Sequence, residues 1–425
     1  MKRCKDMMDK IQTFSLLKEE PNWMLKTRLK AAKQIEELDF PLIERVKYQR
    51  WDLFQGEFDE EEYSENIPAF DDMEDNAFIA QVGTQTLMEQ LPSELIEQGV
   101  ILTDIFSAMQ EHEELVQKYF MSKVVKPDES KMSAHHVAFM SSGIFLYVPK
   151  NVKVQLPIEA MFFQDANSTV PMNKHILIVA DEHAEFTYLE RLQMTGVGSA
   201  KSSANIMVEV VALNGAKVKF AAIDRLGEDM TAFITRRALV MNDASIDWAI
   251  GVMNDGNMVA DYDSNLVGNG SHADMKVVAA SSSRQVQGID SRITNIGNHS
   301  VGHIFQHGVI LDRSTLTFNG IGHILHGAKG ADAQQESRVL MLSDKARGDA
   351  NPILLIEENE VTAGHAASIG RIDPEDMYYL MSRGISEGEA KRLVIRGFLG
   401  NVLVNIPIRK VQNDFIEMLE RKLGN

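Results

Sequence analysis

The sequence predicts a mainly β fold, a flattened parallel β-solenoid with a helical region at each end. Three observations predict it. Helical periodicity is absent for more than two hundred residues after about Ser141. Short β-branched and aromatic runs recur there at a fixed interval, beginning at Ala184, Ala216, Ala244, His272 and Ser300, the first step 32 residues and the next three 28. An Asn or Asp stands just before each start, at Asp181, Asn214, Asp243, Asn269 and Asn298. Other strand-like runs lie halfway between, from Thr231, Met258, Val286 and Ser314. One strand about every 14 residues, paired into a 28-residue repeat, suits coils that bury their apolar faces only by stacking. Turns every 8–12 residues also suit an antiparallel sandwich, so that alternative stands on the pattern alone.

The elements follow in order. Residues 1–140 read as a helical region. "PNWMLKTRLKAAKQIEEL" spaces Trp23, Leu25, Leu29, Ala32 and Ile35 helically behind Pro21, and "LMEQLPSELIEQG" and "LTDIFSAMQEHEELVQKYF" continue that texture. Between them the acid-rich stretch near 56–76 reads as a solvated linker. Residues 141–372 form the expected β core, entered through "GIFLYVPKNVKVQLPIEAMFF", with Pro149 and Pro157 as breakers. Residues 373–425 return to helix. Asp373 and Pro374 are suited to N-cap and first turn, Gly384 to a C-terminal stop, and Ser386 with Glu389 to a capping box. Val411, Phe415, Met418 and Leu419 line one face of a last helix.

Composition narrows the chemistry. With 43 basic and 61 acidic residues the 425-residue chain carries a net charge of −18, which argues against general nucleic-acid or anionic-membrane binding. Cys4 is the one cysteine, so no intrachain disulfide and no all-protein thiolate metal site can form. The start "MKRCKDMMDKIQTF" lacks an apolar core of signal-peptide length, and no run approaches the roughly 20 apolar residues of a membrane helix. A reducing, cytoplasmic location is expected.

Histidine is the concentrated reactive residue. His299, His303, His307, His323 and His326 fall within one short span. His303 and His307 would share one side of a strand and are candidate metal ligands; the alternative is ordinary sheet-surface histidines. Asp261, Asp263 and Asp290 are candidates for an acid pair of the glycosidase kind, although aromatic residues for a sugar-stacking groove are scarce. No G-x-S-x-G, H-E-x-x-H or Walker A sequence occurs.

Ordered motifs then give a resemblance. "FNG" at Phe318–Gly320, Ala331, Asp332 and Gln335 before Arg338, "LMLSDKA", Asn351–Pro352 before "ILLIE", and "YYLMSRGIS" at Tyr378–Ser386 resemble the SufB/SufD family of iron–sulfur cluster assembly proteins. "PNWMLKTRLKAAK" and "GIFLYVPKNV" resemble the family's N-terminal helix and entry strand, so the likeness spans nearly the whole chain. The resemblance implies a right-handed parallel β-helix between helical domains. It implies a non-catalytic scaffold that pairs with a SufB-like subunit through the β-helix and docks the SufC ATPase through C-terminal helices. ATP hydrolysis is then expected in SufC, consistent with the missing Walker A sequence. Because β-helix and C-terminal cysteines are missing, the SufD-type branch is the better match. That branch commonly shows C-x-H-G-A-T, where this chain has Ala363, Gly364, His365, Ala366, Ala367 and Ser368. His365 is therefore the interface candidate, as ligand or proton relay for a transient iron–sulfur cluster whose sulfur comes from the partner, with none bound stably by this chain alone. The SufC-docking candidates are Arg383, Gly384, Ile385, Glu387, Ala390, Leu393 and Phe398. A homodimer through the exposed β-helix edge is compatible with the isolated chain.

Overall fold

A computed structural model describes residues 2–54, 58, 76–403 and 409–423. The expected acidic linker thus lies almost wholly outside the described residues. The chain opens with helices α1 (Lys2–Leu17) and α2 (Asn22–Gln34). A mixed segment follows: β1 (Phe78–Val82), β2 (Gln85–Gln90), α3 (Ser93–Glu97), β3 (Ile101–Asp104), α4 (Ile105–Glu111), α5 (Glu113–Tyr119) and α6 (Lys131–Phe139). The helical reading from Leu87 to Gly99 is thus split between β2 and α3. The strands β1, β2 and β3 went unseen because their apolar residues are short runs that helical spacing also accommodates.

The β core consists of β4 (Ser142–Val148), β5 (Ile158–Asp165), β6 (Met172–Ala180), β7 (Glu185–Thr195), β8 (Ser202–Ala212), β9 (Lys217–Arg225), β10 (Met230–Val240) and β11 (Ser245–Val252). It continues with β12 (Met258–Leu266), β13 (His272–Ser281), β14 (Val286–Asn295), β15 (Val301–Ile310), β16 (Thr315–Ile324), β17 (Asp332–Met341), β18 (Arg347–Ile356) and β19 (Thr362–Arg371). The helices α7 (Pro374–Ser382), α8 (Glu387–Leu403) and α9 (Arg409–Lys422) end the described chain.

Successive strands alternate between two sheets. One runs β19-β17-β15-β13-β11-β9-β7-β5-β1-β2 and the other β18-β16-β14-β12-β10-β8-β6-β4-β3. Every pairing from β4 onward is parallel, except that β3 joins β4 antiparallel. This is a parallel β-solenoid of about eight turns, and the sandwich alternative is excluded. The repeat starts read from the sequence sit within a residue of β7, β9, β11, β13 and β15.

At three of these corners the asparagines Asn214, Asn269 and Asn298, joined by Asn242 beside Asp243, form a ladder; Asp181 and Asp243 are not part of it. The Asn242 amide donates to Asn214 Oδ1 in the coil below (3.2 Å), Asn269 to Asn242 (2.8 Å), Asn298 to Asn269 (2.9 Å) and Lys329 to Asn298 (3.1 Å). Asparagine is suited to this because its short amide bonds backbone locally at turns. His299 is one of the corner residues, with a left-handed φ of 54°.

Inside, in-register residues stack in columns. One runs Tyr188, Phe220, Trp248, Met275, Ile304 and Gln335. Ring centroids of Tyr188 and Phe220 are 5.0 Å apart, and those of Phe220 and Trp248 are 4.6 Å apart. Trp248 Nε1 donates to Ser264 Oγ at 3.0 Å, which satisfies the one polar atom of that buried ring. The interior also holds a charged knot. Arg236 Nη2 reaches Glu190 Oε1 and Asp224 Oδ1 at 2.6 Å each, and Nη1 reaches Asp224 Oδ2 at 2.8 Å and the Tyr262 hydroxyl at 3.1 Å. All four residues are fully buried, and the paired geometry offsets the desolvation of the charges.

Helices cover the outer faces unequally. Phe145, Leu177, Val179, Met207 and Val211 of the second sheet pack with α1, α2, α4, α5 and α6. Leu189, Ala221, Ile223, Ala249, Val278 and Val309 of the first sheet pack with Ile395, Leu399, Phe415, Met418 and Leu419. Leu419, Met418 and Phe415 confirm the expected apolar face of the last helix; the side chain of Val411 lies outside the described residues.

Candidate functional site: the last coil and the helices after it

His365 lies on β19, the last strand of the solenoid. Its register partner is Gln335, so it continues the inward-facing column that begins at Tyr188. Among the described residues no further coil covers it, and His365 is exposed although it stands over a core column. Ala363, two residues earlier, pairs with Ala333 and packs against the small cluster of Ile324, Ala328, Ala331 and Ala333. The Gln335 amide donates to the Ile353 carbonyl at 2.9 Å, while its Oε1 is buried without a hydrogen-bond partner among the described residues. Leu355, Ile356 and Ile369 of this coil are 41–46 % exposed. Bare apolar side chains and an unpaired strand edge together are what an interface presents.

The sequence-predicted punctuation of the next helices is observed. Asp373 accepts a hydrogen bond from the Glu375 amide at 2.8 Å with Pro374 in the first turn. Gly384 ends α7 with φ of +88°, a conformation glycine adopts without a Cβ penalty. Ser386 Oγ and the Glu389 amide close a capping box at 3.4 Å.

The docking candidates divide. Arg383, Gly384, Glu387 and Leu393 are exposed, and Ile385 is half-buried. Ala390 is fully buried, and Phe398 stacks on His307 with centroids 5.2 Å apart. These last two hold α8 against the sheet because they lie on its inward face. Sequence reasoning missed Tyr378, Tyr379 and Met381, exposed by 76, 58 and 45 %. "YYLMSRGIS" was recognised as a motif, but three large apolar residues in so short a helix were the available signal of a surface patch. Met377, Tyr378 and Met381 line a cavity of about 430 Å³ with Met341, Leu342 and Ile372 of the solenoid end.

The other candidates separate in space. His303 and His307 do not converge. His303 Nδ1 meets Asp274 at 3.3 Å, whereas His307 meets the Phe398 carbonyl at 3.1 Å and Glu336 at 3.0 Å. Four residues along a strand separate them by about 13 Å, so one ion cannot bind both. The three aspartates do not form an open acid pair. Asp261 is held by Arg237 at 2.6 Å, and Arg237 also reaches Glu129 at 2.6 Å. Asp290 accepts from Asn319 Nδ2 at 2.5 Å, and the same amide donates to the Glu44 carbonyl. Asp263 and Asp290 are at least nine-tenths buried, and burial pushes their carboxyls up to about 6 and about 7. A polysaccharide could not reach Asp263 or Asp290, and Asp261 is engaged by Arg237, so the three aspartates do not support the carbohydrate-enzyme alternative.

The SUF-system FeS cluster assembly SufBD core domain matches residues 162–398, and the SufBD protein N-terminal region matches residues 10–160. The chain belongs to the SufBD family. Over 425 residues it is 43 % identical to the iron-sulfur cluster assembly protein SufD of Bacillus subtilis, covering 97 % of both chains. It is 28 % identical over 424 residues to a SufBD family protein of Staphylococcus saprophyticus, covering 94 % of this chain and 89 % of that one. A SufBD family protein of Staphylococcus epidermidis is also 28 % identical, over 416 residues. Among the described residues of this SufBD-family chain, no helix is long and apolar enough to cross a membrane.

Proposed function

We propose that the chain is a non-catalytic, SufD-type scaffold subunit in iron–sulfur cluster assembly. It pairs with a SufB-type subunit through its last coil and docks the SufC ATPase through α7 and the start of α8. One observation carries the reading: the solenoid is closed by helices and antiparallel strands at its start and bare at its end, where β19 is exposed along most of its length. The bare coil holds His365 at the end of a core column, so a partner strand laid on β19 would bury it. Iron prefers thiolate, and imidazole serves as a minority ligand in some clusters. Cys4 lies on α1, outside this coil, so sulfur comes from the partner and His365 supplies a nitrogen or moves a proton. The cluster is cargo built at the junction.

Co-expression with SufB and SufC tests this. Full-length protein is expected to co-purify with both. His365→Ala is expected to leave the complex intact and to reduce the cluster absorbance it acquires on reconstitution. Unchanged cluster content would remove His365 from the chemistry, and failure to co-purify would remove the scaffold reading. Tyr378→Ala with Met381→Ala and Leu393→Ala is expected to release SufC and retain SufB. These surface changes are a better probe than deleting residues 374–425, which would uncover the apolar face that α8 and α9 bury. In isolation a second copy can cover the same coil, so light scattering of the chain alone, with and without Leu355→Ser and Ile369→Ser, reports whether self-pairing uses it.

A further inference from the structure

Among the described residues, α8 and α9 cover the outer face of the first sheet along the later parts of its strands. On the earlier parts, stacking places Asp247, Asp274 and His303 in one column, because these residues are register partners on β11, β13 and β15. His272, two residues before Asp274, lies on the same side of β13. No sequence motif joins these residues; only the coil-on-coil register brings them together.

We propose that Asp247, His272 and Asp274, with His303 as a fourth donor, bind one divalent first-row transition-metal ion of the zinc or ferrous type. One ligand atom from each of Asp247, His272 and Asp274 lies within 4.8 Å of the other two. His272 Nε2 is 3.1 Å and His303 Nδ1 3.3 Å from the same oxygen, Asp274 Oδ1. The two rings stand 5.9 Å apart and nearly perpendicular, at 85°. Bound Zn²⁺ takes imidazole and carboxylate donors at about 2.0–2.2 Å, so its ligands stand roughly 3–3.5 Å apart, a small rotation from these positions. A mixture of imidazole and carboxylate suits zinc or iron, whereas calcium would want six to eight oxygens.

Two further observations point to a ligand. Asp247, within 4.8 Å of the ligand atoms of His272 and Asp274, makes no hydrogen bond or ion pair among the described residues. His303 Nδ1 faces Asp274, and its buried Nε2 makes no hydrogen bond among the described residues, with Asp332 Oδ2 at 3.9 Å. Asp274 is held from three sides, by His272, His303 and Lys276. All four donor residues are half-buried, which lets an ion enter from one side. The competitor is Lys276, whose Nζ lies 3.1 Å from Asp274 Oδ2. An incoming cation must displace that ammonium, and this gives the test a direction that a nonspecific surface histidine would not show.

Full-length, tag-free, chelator-stripped protein is titrated with Zn²⁺ alone by calorimetry near pH 7.5, and with Co²⁺ by visible absorption. One equivalent is expected to bind. His272→Ala and Asp274→Asn should each weaken it at least tenfold, and Lys276→Met should tighten it several-fold. Melting curves of the stripped variants, expected to match the parent, verify folding. His365→Ala should leave the equivalent unchanged, which separates this site from the cluster-assembly reading. The proposal is overturned if the parent binds no equivalent beyond that of the His272→Ala/Asp274→Asn double variant, or if Lys276→Met weakens binding.

Discussion

The two ends of the solenoid solve the same problem differently. At the N-terminal end, β1 joins β2 and β3 joins β4 antiparallel, and α4, α5 and α6 close over the sheet. Every residue of β1 is buried. At the C-terminal end, β18 and β19 have no buried residue at all. A stacked fold exposes a new apolar face with each coil it adds, so each end needs a cap. The difference teaches that, among the described residues, one end is covered by the chain itself and the other is not.

The sharpest way to break that contrast is at the finished end. Arg28 on α2 bonds Glu20 at 2.6 Å and the Val137 and Ala138 carbonyls of α6 at 3.1 and 3.2 Å, wholly buried. Arg28→Ala leaves Glu20 and two carbonyls without their partner, and should cost about 3–5 kcal/mol by urea denaturation. An unchanged midpoint would mean that α2 does not anchor the cap.

Acid should act on the same end. His135 is 2 % exposed, lies against Phe54 and Phe139, and among the described residues neither ring nitrogen is hydrogen-bonded. Burial depresses its imidazole to about 3, so the folded state keeps it neutral while the unfolded chain protonates below about 6.5. Stability is therefore lost as pH falls from about 6.5 towards 3. His136 and His175, also pushed down by burial, add in the same direction. His135→Leu removes two orphaned polar atoms and one of these protons. It should gain about 1 kcal/mol at pH 7 and roughly 2 more at pH 5. Denaturation at the two pH values checks this; equal gains would place the protonation elsewhere.

Capping gives a finer comparison. Ser130 and Asp373 each cap a helix, α6 at the finished end and α7 at the bare one. Loss of either cap should destabilise its own helix by about 1 kcal/mol. Only Ser130→Ala is expected to move the global melt, because α6 is buried from Met132 to Phe139 whereas α7 buries no residue. The smallest effect is expected at the bare coil itself. Leu355→Ser with Ile369→Ser should change the dilute isolated chain by no more than about 0.5 kcal/mol, while removing association with a partner.

Much of this was legible in the sequence because the repeat is carried by residues whose roles are local. Asn214, Asn269 and Asn298 mark corners, and the apolar runs between them mark strands. Asp373, Gly384 and Ser386 mark helix ends for the same reason. His365 needed the family resemblance; nothing local separates it from any histidine in a turn-like stretch. What stayed hidden depends on stacking. Asp274 and His303 are 29 positions apart in sequence and neighbours in register, and His136, His175 and Glu209 meet only when α6 lies on β6 and β8. The helix α6 escaped notice because it is buried on all sides, which leaves no amphipathic period to read.

The asparagine corners have a direction. In each, the side chain of the earlier coil accepts the backbone amide of the later one, from Asn214 through Asn298 to Lys329. A chain that emerges from the ribosome N-terminus first meets these acceptors in order. Along this ladder each coil displays the acceptor for the next, so these corners can close in step with synthesis, and α7, α8 and α9 follow once the bare coil is laid down.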